Sequence, residues 1–476
     1  MVLAAMTMLL VLPVLGALLV LVAPKRLSWP TALLTSMATL IAAVALSFPQ
    51  TIRYNWIPAI GAQFLLQLDG ISYLMVTLTA LMTLLGIMAS PNMPKAFYAM
   101  LLLLAAGCHG VFLAQDLLLF FICFESVLIP MYFLISVYGS EDRRRAALKF
   151  ILYTVAGSVA LLIGFITLYL QHAAQTGIYT FELTPLLNTT MAPATERLVF
   201  WALFLGFAIK IPMFPFHTWL PDAHTQAPTA GSVMLAAVML KMGTYGFLRF
   251  SLPLLPKASI DAQVLAVLSI VASLYGGWIC LAQSDWKRLI AYSSVSHLGF
   301  CTLGIFSLNA AGISGSVIQQ LNHGISTGLL FLLAGFAYDR RHTRLISDYG
   351  GLAKSMPGFA AVFMLAILGS IGLPLLNGFV GEFTILRGAY QAHPWWAAVA
   401  LIGIIIGAAY MLNLYRYTML GTVTNPENEN LPDLTLREWL IVAPLIGWSI
   451  WIGLRPGAYF TAIEGPVEQI MERLRP

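Results

Sequence analysis

Four ionisable residues stand inside apolar stretches, where charge is hardest to keep. Glu125 lies in "FFICFESVLIPMYF", Lys210 in "FLGFAIKIPMFPF", Lys241 in "AAVMLKMGTYG" and Glu382 in "GLPLLNGFVGEFTIL". Histidines accompany them: His297 in "YSSVSHLGF", His323 in "QQLNHGIST", and His217 and His224 near a proline-rich break. A charge at membrane depth costs roughly 2.5–3.5 kcal/mol on insertion scales, so it is kept only with a partner, a polar cavity or a function. Burial favours neutral lysine and protonated carboxyl, and a neighbouring opposite charge reverses that, so such groups can be poised to exchange protons. Imidazole titrates in the same range. Structural ion pairs that merely hold helices together are the simpler reading. Against it, Ser293, Ser294, Ser296, Gln319, Gln320, Asn322 and Ser326 flank the two histidines and form a lining able to hold water. A row of acids and bases through an apolar bundle is what a proton relay needs. Haem ligation fits poorly, because no two spans each offer a pair of histidines.

The elements that hold these groups must be membrane helices. Of the 476 residues 59% are hydrophobic and only 9% charged, which excludes a water-facing surface. A hydrocarbon core about 30 Å thick takes about 20 residues per helix. Runs such as "LLLLAAG" and "LIGIIIGAA" are apolar on every side, unlike the alternating strands of a barrel. The spacing predicts about fourteen spans, centred near Leu10, Ala38, Thr79, Ala105, Val127, Leu161, Leu205, Met239, Ile270, Gly299, Leu329, Ile371, Ile405 and Ile446. The first, from Met1 to Val22, reads as a retained span rather than a signal peptide, since no Lys or Arg precedes it. Of the 25 Lys and Arg, 15 fall in loops after odd-numbered spans, 8 fall opposite, and Lys210 and Lys241 remain inside. That asymmetry predicts both termini on the non-cytoplasmic side, and the membrane expected is the cell's inner, cytoplasmic one. The net charge of +5 records topology, not a nucleic-acid partner. Cys108, Cys123, Cys280 and Cys301 have no metal-ligand or thiol-pair spacing. The tail "EGPVEQIMERLRP" reads as an interfacial helix.

Two spans are punctuated alike: Pro212 and Pro215 follow Lys210, while Pro374, Gly378 and Gly381 precede Glu382. Proline removes a helix hydrogen bond, so both spans should break near mid-membrane. Breaks about five spans apart fit two inverted five-helix repeats. The expected fold is an all-α polytopic membrane protein of about fourteen transmembrane helices, each repeat containing one broken helix. Its parts are residues 1–92, N-terminal helices; 93–252 and 253–422, the two half-channels; and 423–476, a last span and tail.

The stretch "AIKIPMFPFHTWLPDAHTQAPTAGSVMLAAVMLKMGTYGFLRF", with "DWKRLIAYSSVSHLGF", "NHGISTGLLFLLAG" and "GLPLLNGFVGEF", resembles the antiporter-like subunits of respiratory complex I from about Leu66 to Leu420. In that family the acid at the second broken helix, matched by Glu382, marks the chain M branch; chains L and N and the Mrp-type antiporters commonly carry lysine. The resemblance implies a proton-translocating subunit of an NADH:quinone oxidoreductase. It implies Glu125 paired with Lys210 in the first half-channel, Lys241 on the central axis, His297 and His323 beyond it, and Glu382 in the second half-channel. It implies neighbours of the L and N type, and no cofactor or metal on this chain, the FMN, iron-sulfur clusters, NADH and quinone belonging elsewhere in the complex. Neither a glycine-rich dinucleotide fingerprint nor a cysteine cluster occurs. The alternatives are a subunit of an Mrp-type cation/proton antiporter, of a membrane-bound hydrogenase or of a ferredoxin-dependent complex, and a passive scaffold. From the residues alone, Glu125 and Lys210 should approach each other, and Lys241 and Glu382 should share one polar path. The competing expectation for Glu382 is a fixed salt bridge to Arg387.

Overall fold

A computed structural model describes residues 2–423 and 425–475, with side chains from residue 6 onward; Met1, at the start of the first expected span, lies outside the described residues. Among the described residues, nine helices are long and apolar enough to cross a bilayer, and the shorter apolar helices Met6–Val22, Val264–Cys280 and Pro357–Ser370 add to them. The expected centres fall on helical segments, with Val127 at a kink between Leu117–Ser126 and Leu128–Tyr138 and Ile371 at a break. The chain is a multi-pass membrane protein built inside out. Its most polar spans, Thr229–Leu254, Trp286–Phe306 and Ala310–Arg341, are almost wholly enclosed, while Lys25–Val44 and Pro394–Met419 turn apolar side chains outward. Lipid solvates leucine as well as a protein core does, so polar residues, not apolar ones, drive burial here.

Local signals start the central helices where they are needed. Asp285 accepts from the Arg288 N–H and Asn309 from the Gly312 N–H, each satisfying an otherwise orphaned donor of the first turn. Both punctuated spans are broken. Pro193–Lys210 ends at the lysine and resumes as Trp219–Gln226; Pro357–Ser370 ends ahead of Gly372 and resumes as Asn377–Ala392, with Glu382 in its second turn. Within that second break Gly372 takes φ +75°, a conformation glycine adopts without steric cost. Its lack of a side chain also admits Glu382, whose Oε2 would lie 2.5 Å from a Cβ there.

The all-helical expectation misses one element. Gln50–Ile57 and Ala62–Leu68 form an antiparallel hairpin, paired from Gln50 with Leu68 to Ile57 with Ala62, turning through Gly61 at φ +69°. It fills the connection between the second and third spans, which is therefore not short. The C-terminal stretch is helical over Gly457–Leu474 and bends 77° from Leu436–Leu454. It packs Ile463, Val467, Ile470 and Leu474 inward, as an interfacial helix does.

Leu436–Leu454 is tied to the core by a bidentate pair: Arg340 donates to both oxygens of Glu438 at 2.7 Å, with both side chains buried. Glu438 also closes a capping box with Thr435. Removing one member of such a pair strands the other charge, so Glu438→Ala should destabilise the protein by about 3–5 kcal/mol. A thermal melt of the purified protein in detergent would show this as a clear drop in midpoint.

Candidate functional site

Lys241 sits at the centre of the molecule, fully buried. Its helix is interrupted by two π-helical segments, Leu235–Met239 and Phe247–Ser251, and such bulges re-aim side chains and often mark functional positions. The ammonium donates to the Ala236 carbonyl, within the first of these segments, at 2.5 Å and lies 2.7 Å from His323 Nδ1. The rings of His323 and His297 stand 5.8 Å apart, centroid to centroid. His323 Nε2 has no hydrogen-bond partner among the described residues. Both rings line a small cavity whose walls include Gln319, Asn322, Ser326 and Ser370. His297 Nδ1 then lies 3.3 Å from Glu382 Oε1, and His297 Nε2 lies 3.3 Å from Ser370 Oγ. Glu382 also accepts from Gln319 Nε2 at 3.2 Å and faces a second small cavity walled by Ser296, Ser370 and Tyr410.

Lys241, His323, His297 and Glu382 thus form one row, each of the four on a different helix. A small cavity lined by both rings sits where direct contact gives out, and a second lies beside Glu382; polar groups in their walls are the setting in which water can complete a path. Arg387 does not clamp the acid: it is exposed, and the described ion pairs of Glu382 comprise His297 alone.

The first half is looser. Lys210 is buried, its ammonium 4.7 Å from the centre of the Phe124 ring, with no hydrogen-bond partner among the described residues. Glu125, next to Phe124, is half-buried at the kink before Leu128. The two charges influence each other, and Ser158 stands beside the carboxyl. They make no ion pair within 4.0 Å among the described residues, so the expected pairing is electrostatic reach without contact. The aromatic ring of Phe124 holds the lysine by a cation–π contact instead.

Other buried polar groups lay outside the sequence reading. Asn377, fully buried, opens the helix of Glu382. Arg249, expected in a loop, is inside Thr229–Leu254 and pairs with Asp69 at 2.5 Å, while its Nε donates to Tyr245 Oη at 3.1 Å. Lys287, also expected in a loop, is buried and donates to the Ala227 carbonyl at 2.6 Å. His224 stacks on Phe331 at 4.6 Å, and His217 lies among Phe214, Tyr275 and Tyr292, so neither joins the row directly.

Close approach of two helices sets the Glu382 end. A Cβ on Gly381 would lie 2.2 Å from Gln319 Oε1 and 2.9 Å from its Cα, too near for any side chain. Gly381→Ala should therefore part the two helices and break the Gln319 bond to Glu382, at an overpacking cost of about 1–3 kcal/mol. A lowered denaturation midpoint of the purified protein in detergent would register that cost.

The family model described as "NADH:quinone oxidoreductase/Mrp antiporter", transmembrane, matches residues 114–407. The NADH-quinone oxidoreductase subunit M of Rickettsia typhi is 45% identical over 426 residues, covering 88% of this chain and 85% of that one. The NADH-ubiquinone oxidoreductase chain 4 of Marchantia polymorpha is 39% identical over 484 residues, covering 98% and 96%. Among solved structures, a chain of respiratory complex I from Thermus thermophilus with bound NADH superposes with a TM-score of 0.92 at 34% identity, covering 100% of both chains.

Proposed function

The chain belongs to the family of NADH:quinone oxidoreductase/Mrp antiporter membrane subunits, and from that premise we propose that Lys241, His323, His297 and Glu382 are its proton path. It is a proton-translocating membrane subunit of an NADH:quinone oxidoreductase, on the branch of subunit M and chain 4. The chemistry of electron transfer lies elsewhere in that assembly; the flavin, the iron-sulfur clusters and the NADH and quinone sites belong to other subunits. The neighbours in the membrane arm are antiporter-like chains of the L and N type. The membrane is the cytoplasmic one, with both termini on its outer side.

One observation supports the path above all others: the succession of base, imidazole, imidazole and acid on four packed helices, with a small cavity at the one gap between the two rings. Lys241 gives a proton to His323 Nδ1 across 2.7 Å. Water in the cavity between the rings passes it to His297, and His297 Nδ1 hands it to Glu382 Oε1 across 3.3 Å. Two unit charges about 4 Å apart interact by about 4 kcal/mol at an effective dielectric near 20. Moving one proton by one station therefore alters the next group's protonation equilibrium by about three orders of magnitude. Glu125 and Lys210 supply the first station, where a change in the charge of Glu125 reaches Lys210.

The test is to purify the assembly containing this chain and reconstitute it in liposomes. Copurifying flavin and iron-sulfur clusters, with NADH-driven acidification of the lumen, are expected. Sodium–proton exchange without NADH oxidation would overturn the assignment in favour of the antiporter reading. For the orientation, a single cysteine placed in the Arg143–Arg145 segment of intact cells should resist impermeant maleimide until the membrane is opened. Labelling from outside would reverse the topology.

A further inference from the structure

Asn377 is the first residue of the helix that carries Glu382 and is wholly buried. Its Nδ2 donates to the Asn322 carbonyl and to Ser326 Oγ, both at 3.1 Å, and its Oδ1 accepts from Ser449 Oγ at 2.7 Å. In return, Asn322 Nδ2 donates to the Asn377 carbonyl at 2.7 Å and reaches Gln319 Oε1 at 3.3 Å. Gln319 Nε2 donates to Glu382 Oε1 at 3.2 Å. Polar groups thus run without interruption from Ser449, half-buried on Leu436–Leu454, to the carboxyl. An amide has one acceptor end and one donor end. With Asn322 donating to its oxygen, Gln319 can present only N–H to Glu382. The Asn322 amide is in turn held in that orientation by the Asn377 main-chain carbonyl, and the Asn377 side chain keeps that carbonyl in place by tying the helix start to the Asn322 carbonyl, Ser326 and Ser449.

We propose that Asn377 is a positioning residue for Glu382: it locks the Asn322–Gln319 amide pair so that a fixed hydrogen-bond donor faces the carboxylate, and it connects that donor to the peripheral helix Leu436–Leu454. The proposal rests on the reading that Glu382 exchanges protons, and it adds what sets the ease of that exchange. Hydrogen bonding to the charged form stabilises it, and a linked chain orients its members more firmly than isolated pairs do. The simple alternative is a packing staple between Ala310–Arg341 and Asn377–Ala392. Asn309 supplies the comparison: its Nδ2 donates to the Gly388 carbonyl at 2.8 Å, joining the same two helices at their other end without a bond to Glu382.

The experiment uses the assembled oxidoreductase in native membranes with Asn377→Ala, Ser449→Ala and Asn309→Ala. A hydrophobic carbodiimide, which adds to protonated carboxyls, is the probe, and its adduct on the Glu382 peptide is counted by mass spectrometry. Asn377→Ala keeps the main-chain carbonyl but frees the helix start that positions it, and the loosened donor should raise the labelling rate of Glu382 about tenfold, the equivalent of one hydrogen bond to a charged group. Ser449→Ala should raise it less, and Asn309→Ala should leave it unchanged. If Asn377→Ala does not assemble, Ser449→Ala carries the test, since it removes a single bond at a half-buried position. Unchanged labelling in the assembled Asn377→Ala and Ser449→Ala forms, or an equal rise in Asn309→Ala, would overturn the proposal. Glu382→Gln is measured alongside for NADH-driven pumping: normal pumping there removes Glu382 from the path, an outcome distinct from a flat labelling result.

Discussion

Replacing Lys241 by methionine should reduce NADH-driven proton uptake into inverted membrane vesicles about a hundredfold while the complex still assembles. Methionine nearly matches the volume of the lysine stem and fits irregular cores, so the packing around a fully buried position survives. What disappears is the hydrogen-bond partner of His323 Nδ1 among the described residues, the group proposed as proton donor of the row. Arginine makes the sharper comparison. It keeps a positive charge but cannot be deprotonated in a protein, so a fixed-charge role would survive Lys241→Arg and a proton-carrying role would not. Equal loss in both variants is the expected result. Full pumping by Lys241→Arg would show that the residue acts as a stationary charge and would end the relay assignment.

The row itself was legible in the sequence because charge inside an apolar run is conspicuous. Lys241 and Glu382 needed no partner to be noticed, and the cluster Gln319, Gln320, Asn322 and His323 announced a polar helix face. The breaks beside Lys210 and before Glu382 were legible because proline cannot continue a hydrogen-bonded turn. What stayed hidden depends on distance in the chain or on geometry without a composition signal. Arg249 reads as a loop residue until Asp69, 180 positions away, is brought against it. The π-helical segments around Lys241 have no sequence signature, yet the first contains the Ala236 carbonyl that accepts from the ammonium. Each strand of the hairpin, 8 and 7 residues long, is too short to register in a window sized to a membrane span, although Thr51, Arg53 and Asn55 alternate with Ile52 and Tyr54. Asn377 reads as mere punctuation in "LNGF", since its partners Asn322, Ser326 and Ser449 lie 51 to 72 positions away. Glu125 and Lys210 were expected to approach each other; they lie within each other's electrostatic reach, without an ion pair within 4.0 Å among the described residues, and Lys210 stands over the ring of Phe124.

Glu382→Gln should abolish pumping as completely as Lys241→Met, and for a different reason. Glutamine preserves size and can still bond to Gln319 and His297, so the helices stay where Gly372 and Gly381 let them meet. It cannot ionise, and the row then ends in a group that accepts no proton from His297. Glu382→Asp retains the acid but withdraws it by one methylene from an atom only 3.3 Å from His297 Nδ1, so an intermediate rate is expected. Arg387→Ala is the control. The guanidinium is exposed, and a carboxyl bound by a permanent arginine would be held ionised, unable to take up the proton it must later release. With Arg387 removed, pumping should continue at the parental rate. Loss of pumping in Arg387→Ala, or its survival in Glu382→Gln, would mean that the acid at the end of the row is a structural charge and that protons leave by another route.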